Sequence, residues 1–155
     1  MAGEYRRLTL SMDVGRGPAA FDAAGRAIMS LQMQRGAGLR VSSTHEPVQL
    51  GDVVKIWIGI GPVGVSGSCD VIEVFDEPRR RGYTYRTRPD HVEDGEETFE
   101  ASLYDDERVV VTIDAWSRPN SWLTRTAGPA GRLVQRLINR RYLTSVRRIV
   151  VASAL

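Results

Sequence analysis

The chain has 155 residues, 42% of them hydrophobic and 26% charged, with a net charge of +2 and one cysteine. That length suits one domain with a real core. Cys69 alone excludes an internal disulfide framework and a cysteine-rich zinc site. The small net charge does not argue for nucleic acid. No apolar run approaches the ~18 residues that span a bilayer, and Met1 to Arg7 does not read as an export signal, so a reduced cytoplasmic setting is expected.

In chain order, Leu8, Leu10, Met12 and Val14 alternate with polar residues, which predicts a half-buried strand. Gly15-Arg16-Gly17-Pro18 breaks it, and Pro18 suits the start of a helix. Phe21, Ala24, Ile28 and Leu31 recur at helical spacing, and Gly36 and Gly38 end that helix. Five further strands are predicted over Val53–Ile60, Val65–Phe75, Arg81–Arg88, Glu96–Tyr104 and Arg108–Trp116. The second of these slips its alternation between Val71 and Ile72, the mark of a bulge. Asp105-Asp106 predicts a tight hairpin between the last two. Short connections imply an antiparallel meander.

The remainder reads as helix. Ser117 or Asn120 can cap a first turn holding Trp122 and Leu123, and Gly128-Pro129 kinks or restarts the helix. Leu133, Val134, Leu137, Ile138, Tyr142, Val146, Ile149 and Val150 then form an apolar stripe, with arginines on the other face. Five strands and a long helix segregated from them define an α+β layout over residues 1–155. A long amphipathic helix across a curved sheet leaves a wedge-shaped space, a natural ligand cavity.

Charge is unevenly spread. Residues 118–155 hold eight arginines and no acid, while Asp90 to Glu107 holds nine acids and no lysine or arginine. The two stretches are expected to attract each other. The arginine face reads as solvated, since aromatic interleaving is sparse there.

The block Gly95-Glu96-Glu97-Thr98-Phe99, inside Gly82–Phe99, and the block Ala115-Trp116-Ser117-Arg118-Pro119 are the most distinctive parts of the chain. With Phe21, Ala24, Ala37-Gly38-Leu39, Gly128-Pro129, Gln135 and Arg141-Tyr142, they resemble an uncharacterised domain family of bacteria and plants. That family is grouped with the helix-grip superfamily of START and birch-allergen-like proteins. The resemblance runs from about residue 15 to residue 148 and implies a helix-grip fold with no established activity.

Glu97 is the sharpest candidate, because alternation places it on the inner face with Phe99, Ala101 and Leu103. A carboxylate there needs a partner or a raised pKa. Arg118 is the expected partner, with Tyr83 and Tyr85 as further ones. Trp57, His91, Phe99 and Trp122 complete the candidate pocket. His91 with Glu93, Glu96 and Glu97 lacks the spacing of a helical metal site, and no metal or other cofactor is expected.

Gly59-Ile60-Gly61-Pro62-Val63-Gly64 matches a dinucleotide fingerprint in letters only, since a strand follows where a helix is required. It reads instead as a glycine-rich hairpin at the cavity mouth. Cys69 reads as an inert core thiol, and no nucleophile elbow is present. Binding of a small, partly apolar ligand is therefore the leading reading. Acid–base enzymology in the same pocket, and a filled structural or partner-binding domain, are the alternatives. Nothing in the sequence sets an oligomeric state.

Overall fold

A computed structural model describes residues 4–91, 93–119 and 128–155. Seven strands are present: β1 (Arg6–Arg16), β2 (Arg40–Ser43), β3 (Val53–Ile60), β4 (Val63–Glu77), β5 (Arg80–Thr87), β6 (Glu93–Leu103) and β7 (Arg108–Pro119). They form one antiparallel sheet in the order β1-β7-β6-β5-β4-β3-β2. The meander from β2 to β7 follows from short hairpins, and β1 returns to pair with β7. Among the described residues the helices are α1 (Gly17–Met29), α2 (Gln32–Gly36) and α3 (Pro129–Ser153).

Two bulges bend the sheet. The β4–β5 register shifts between Val71 and Glu73, where the slipped alternation predicts it, leaving Ile72 as the extra residue. A second shift lies between Asp13 and Gly15 in β1. The strand absorbs this bulge and runs on to Arg16, so the expected break at Gly15 falls two residues later. Pro18 then occupies the first helical turn.

Several elements differ from expectation. The predicted helix through Leu31 is two helices. Leu31 takes a left-handed backbone (φ 60°), which costs roughly 1–2 kcal/mol for an L-residue. Its side chain is fully buried, and that burial offsets the strain. Strand β2 is not predicted; Arg40–Ser43 is short and polar, and its pairing with β3 supplies the order that its own pattern lacks. The β6–β7 turn spans Tyr104 to Glu107, with Glu107 in left-handed backbone, rather than a two-residue Asp-Asp loop. Ser117 lies within β7 and does not cap a helix. Asn120, Trp122 and Leu123 lie outside the described residues.

The core sits between the sheet and the C-terminal half of α3. Leu143, Val146 and Val150 join Phe21, Ala24 and Ile28 of α1 in one core, and α3 lies against α1, α2, β1 and β7. Of the basic stretch from residue 118 onward, Arg118 meets the acidic stretch, but no ion pair joins the acids to α3 among the described residues. The carboxylates meet arginines on adjoining strands instead: Glu100 with Arg80, Glu96 with Arg86, and Asp94 with Arg118. Sheet neighbours are closer than a helix lying across the opposite face.

One polar knot holds the loop before β3. Asp52 is buried and accepts hydrogen bonds from Ser43 Oγ, the backbone N–H of His45 and that of Gln49, and it meets His45 Nδ1 at 2.7 Å. Burial works to raise its carboxyl, but these hydrogen bonds outweigh that and hold it below the usual carboxylate range. Asp52→Ala is expected to cost at least about 2 kcal/mol in urea unfolding at pH 7, because even one hydrogen bond to a charged group is worth roughly 1.5–3 kcal/mol. The loss should shrink as pH falls through the folded-state pKa, where the carboxylate protonates.

Candidate functional site

The inner face of the sheet changes character along its strands. At one end β5, β6 and β7 present Tyr83, Phe99 and Ile113 side by side. Two residues on, the row is Tyr85, Glu97 and Ala115, and beyond it lie Thr87, Gly95 and Ser117. Side chains shrink in that direction. Above them, α3 begins with Ala130 and Gly131, which also have little bulk. The core therefore fills one end of the wedge and leaves the other open.

The opening is a cavity of about 350 Å³. Tyr85, Glu97 and Ala115 form its floor, and Val134, Ile138, Asn139 and Tyr142 of α3 form its roof. Ile56 and Ile58 of β3 and Val65 of β4 close one side, with His91 and Glu93 at the β5–β6 connection. Gln135 Nε2 and Ser117 Oγ lie 3.4 Å apart beside the helix start. Ile60 and Val63, at the glycine-rich hairpin tip beyond Ile58 and Val65, are exposed. Gly61 supplies the left-handed backbone of that turn (φ 58°), which confirms a hairpin in place of a phosphate-binding helix start.

Glu97 has an unusual environment. Its Oε2 lies 3.5 Å from the Tyr85 hydroxyl, a long contact, and its Oε1 is buried with no partner among the described residues. Burial raises the carboxyl from an ordinary value near 4.5 to about 7, against the opposing pull of the Tyr85 hydroxyl. Tyr85 and Tyr142 are raised well above ordinary phenols, first by burial and then by the nearby Glu97. Asn139 is also buried, and its Nδ2 has no partner among the described residues.

His91 accepts a hydrogen bond on Nδ1 from the backbone N–H of Glu93 at 3.0 Å. Burial holds its imidazole below the ordinary value and raises the Glu93 carboxyl. The His91 ring lies flat on Gly67 of β4, where a Cβ would come within 2.5 Å of Cδ2. Glycine there lets the ring close the cavity end. Among the described residues, no three His, Cys, Asp or Glu side chains are grouped to hold a metal ion.

Tyr85, His91 and Glu97, of the eight residues singled out from sequence, line this cavity. Tyr83 lies deeper, fully buried, and its hydroxyl accepts from Gln34 Nε2 at 2.9 Å. Phe99 lies beneath the floor, its ring 5.3 Å from both Tyr83 and Tyr85 and 6.0 Å from Tyr142. Trp57 sits on the outer face, under the Arg40 guanidinium, because the cavity takes Ile56 and Ile58 on either side of it. Trp122 lies outside the described residues.

The expected Glu97–Arg118 pair does not form. Register places Glu97 opposite Ala115, and Arg118, three residues on, points to the other face. There its Nε donates to Asp94 at 2.8 Å, and Tyr5 adds its hydroxyl to the same carboxylate. Asp114 likewise faces outward, bound by Arg7 and Thr9. Cys69 is buried and free, its thiol raised above the ordinary range by burial.

Asn139 and Tyr142 are cavity residues that sequence reasoning did not assign to the site. Their signal was present: Asn139 is a polar residue three positions before Tyr142, within the buried stripe of α3.

A curved antiparallel sheet closed by a long C-terminal helix over a cavity is the birch-allergen type of helix-grip fold. The chain belongs to the family described as domain of unknown function DUF1990, which matches residues 1–145. Among curated proteins nothing matches the sequence.

Solved structures agree on the fold. A hypothetical protein from Helicobacter pylori, jhp0584, superposes with a TM-score of 0.67 at 7% identity, over 94% of this chain and 86% of that one. Norcoclaurine synthase from Thalictrum flavum, in complex with dopamine and hydroxybenzaldehyde, gives 0.63 at 9% identity, over 96% and 87%. Major latex-like protein 151 from Panax ginseng gives 0.59 at 16% identity, over 97% of each chain. At these identities the likeness carries the fold alone. Among the described residues, no helix is long and apolar enough to cross a membrane.

Proposed function

We propose that this protein binds a small, largely apolar molecule in the cavity between α3 and the sheet. The observation that carries this reading is the cavity itself. Its volume of about 350 Å³ lies within the ~300–1,000 Å³ typical of small-molecule sites. Its walls are aliphatic and aromatic, with a few polar groups gathered on floor and roof, as such sites require. A protein of the same architecture solved with dopamine and hydroxybenzaldehyde supports the reading by analogy of fold. The single cysteine, buried without a disulfide, suits a reducing compartment.

The test is native mass spectrometry of protein purified from its own host, joined to displacement of a fluorescent apolar probe. The expected result is one bound small molecule per chain. Val134→Trp, at the exposed cavity rim, should weaken probe binding at least about tenfold, or ~1.4 kcal/mol, while leaving the melting temperature unchanged. Probe binding that ignores this substitution places the ligand elsewhere and defeats the proposal.

A second reading is favoured by Glu97. A carboxyl raised to about 7 beside a tyrosine hydroxyl has the proton affinity that general acid–base catalysis uses near neutrality. It requires that the molecule retained from the host be chemically altered on incubation, with a rate that Glu97→Gln abolishes. Return of the same molecule unchanged leaves binding as the function.

A further inference from the structure

Buried polar atoms in native proteins almost always find partners, so each exception calls for a physical account. Two such exceptions belong to residues lining the same cavity. Glu97 Oε1 lies on the sheet side and Asn139 Nδ2 on the helix side. One is an acceptor and the other a donor. Among the described residues, neither is satisfied by the other or by any neighbouring side chain. Between these two residues the wall from Ile56 and Ile58 to Val134 and Ile138 is apolar, while Thr87, His91, Glu93, Ser117 and Gln135 also line the cavity.

This pattern restricts what can occupy the space. An arylamine donates to Glu97, but its lone pair is delocalised into the ring and accepts poorly from Asn139. A carboxylate would satisfy Asn139 but would bury an uncompensated charge in a largely apolar cavity. A pure hydrocarbon would satisfy neither and would bury both more deeply. A hydroxyl both donates and accepts, so it serves the two orphans together. Building on the ligand-binding reading, we propose that the ligand is an uncharged, hydroxyl-bearing apolar molecule whose hydroxyl sits between Glu97 and Asn139.

The selectivity should be large. A site built around a ligand hydroxyl discriminates strongly against analogues that lack it, because its own polar groups are then stranded. The aromatic edges of Tyr85 and Tyr142 flank the same two residues and favour a ring as the body of the ligand.

The test compares four probes on one skeleton at pH 6: naphthalene, 2-naphthol, 2-naphthylamine and 2-naphthoate, each read by competition with a fluorescent apolar dye. The expected result is that 2-naphthol binds at least tenfold tighter than each of the other three. In Glu97→Leu and in Asn139→Leu, its advantage over naphthalene should fall to less than threefold. The wild-type comparison stands by itself if either variant folds poorly. Equal binding of naphthol and naphthalene, tightest binding of the amine or the carboxylate, or an advantage that survives both substitutions overturns this inference while leaving a ligand-binding cavity in place. If none of the four competes, the inference and the ligand-binding reading fall together.

Discussion

Glu97→Gln is expected to stabilise the protein above neutral pH and to change almost nothing at pH 4. The folded-state carboxyl is raised to about 7 by burial, against about 4.5 for an exposed glutamate. A raised folded-state pKa means that the native protein holds a proton that the unfolded chain has already released. Stability associated with this group is therefore complete below about pH 4.5 and lost as pH rises toward 7. A gap of this size corresponds to a loss on the order of 3 kcal/mol, since one pKa unit is about 1.4 kcal/mol.

Glutamine resembles the protonated carboxyl and carries no charge at any pH. The difference between variant and wild type should open through that window and stay constant above it. Paired urea titrations at pH 4, 6 and 8 measure it, and comparing the two proteins cancels the contributions of Glu93 and His91. A difference that does not vary with pH would mean that Glu97 is solvated and would remove the basis for a polar anchor in the cavity. A retained ligand that donates to Oε1 should shrink the difference, because it stabilises the ionised form.

Phe99→Ala has the larger expected cost, about 3–5 kcal/mol in chemical unfolding, the range for phenylalanine truncation in a packed core. Phe99 is fully buried at the centre of the aromatic cluster. Its ring meets Tyr85 nearly edge-on, with an interplanar angle of 89°, and Tyr142 at 70°. Such pairs add to simple burial, by roughly 0.5–1.5 kcal/mol each. Set against a total stability of roughly 5–15 kcal/mol for a domain, the loss is severe.

Its consequence for the site is separate from its effect on stability. Phe99 does not line the cavity, yet it supports both tyrosines that do. The truncated variant should bind apolar probes more weakly even at temperatures where it remains folded. Phe99→Leu, which keeps much of the volume, should lie between the two. A cost below about 1 kcal/mol for Phe99→Ala would show that the cluster collapses freely and does not hold the floor in place.

Much of this arrangement was legible before any coordinates. Alternation, and for Val53–Ile60 a run of apolar β-branched residues, located the six longer strands, and the slip at Val71 and Ile72 marked a real bulge. Gly128-Pro129 marked the start of the long helix. The Gly95–Phe99 and Ala115–Pro119 blocks pointed to the family. These features are local: period two, period 3.6 and the backbone limits of proline and glycine act on a few neighbouring residues.

The errors share the opposite property. Val53–Ile60 is apolar on both faces apart from Lys55, so its pattern did not say which face Trp57 takes; burial of Ile56 against the core decided it. Arg118 and Glu97 occupy neighbouring distinctive blocks, but strand register put them on opposite faces. Arg40–Ser43 became a strand only because β3 offered a free edge. Leu31 ended a helix because a fully buried position lay within its reach.

By itself, then, the sequence determined the α+β layout, the antiparallel strand succession, the long C-terminal helix and the inward direction of Glu97, all through short-range periodicity. Tertiary structure decided what Glu97 meets there. Shrinking side chains toward Gly95 and Ser117 left a cavity, and a helix crossing the sheet brought Asn139 and Tyr142 over it. A void is set by what fails to fill the space between distant segments, and no single segment carries that information.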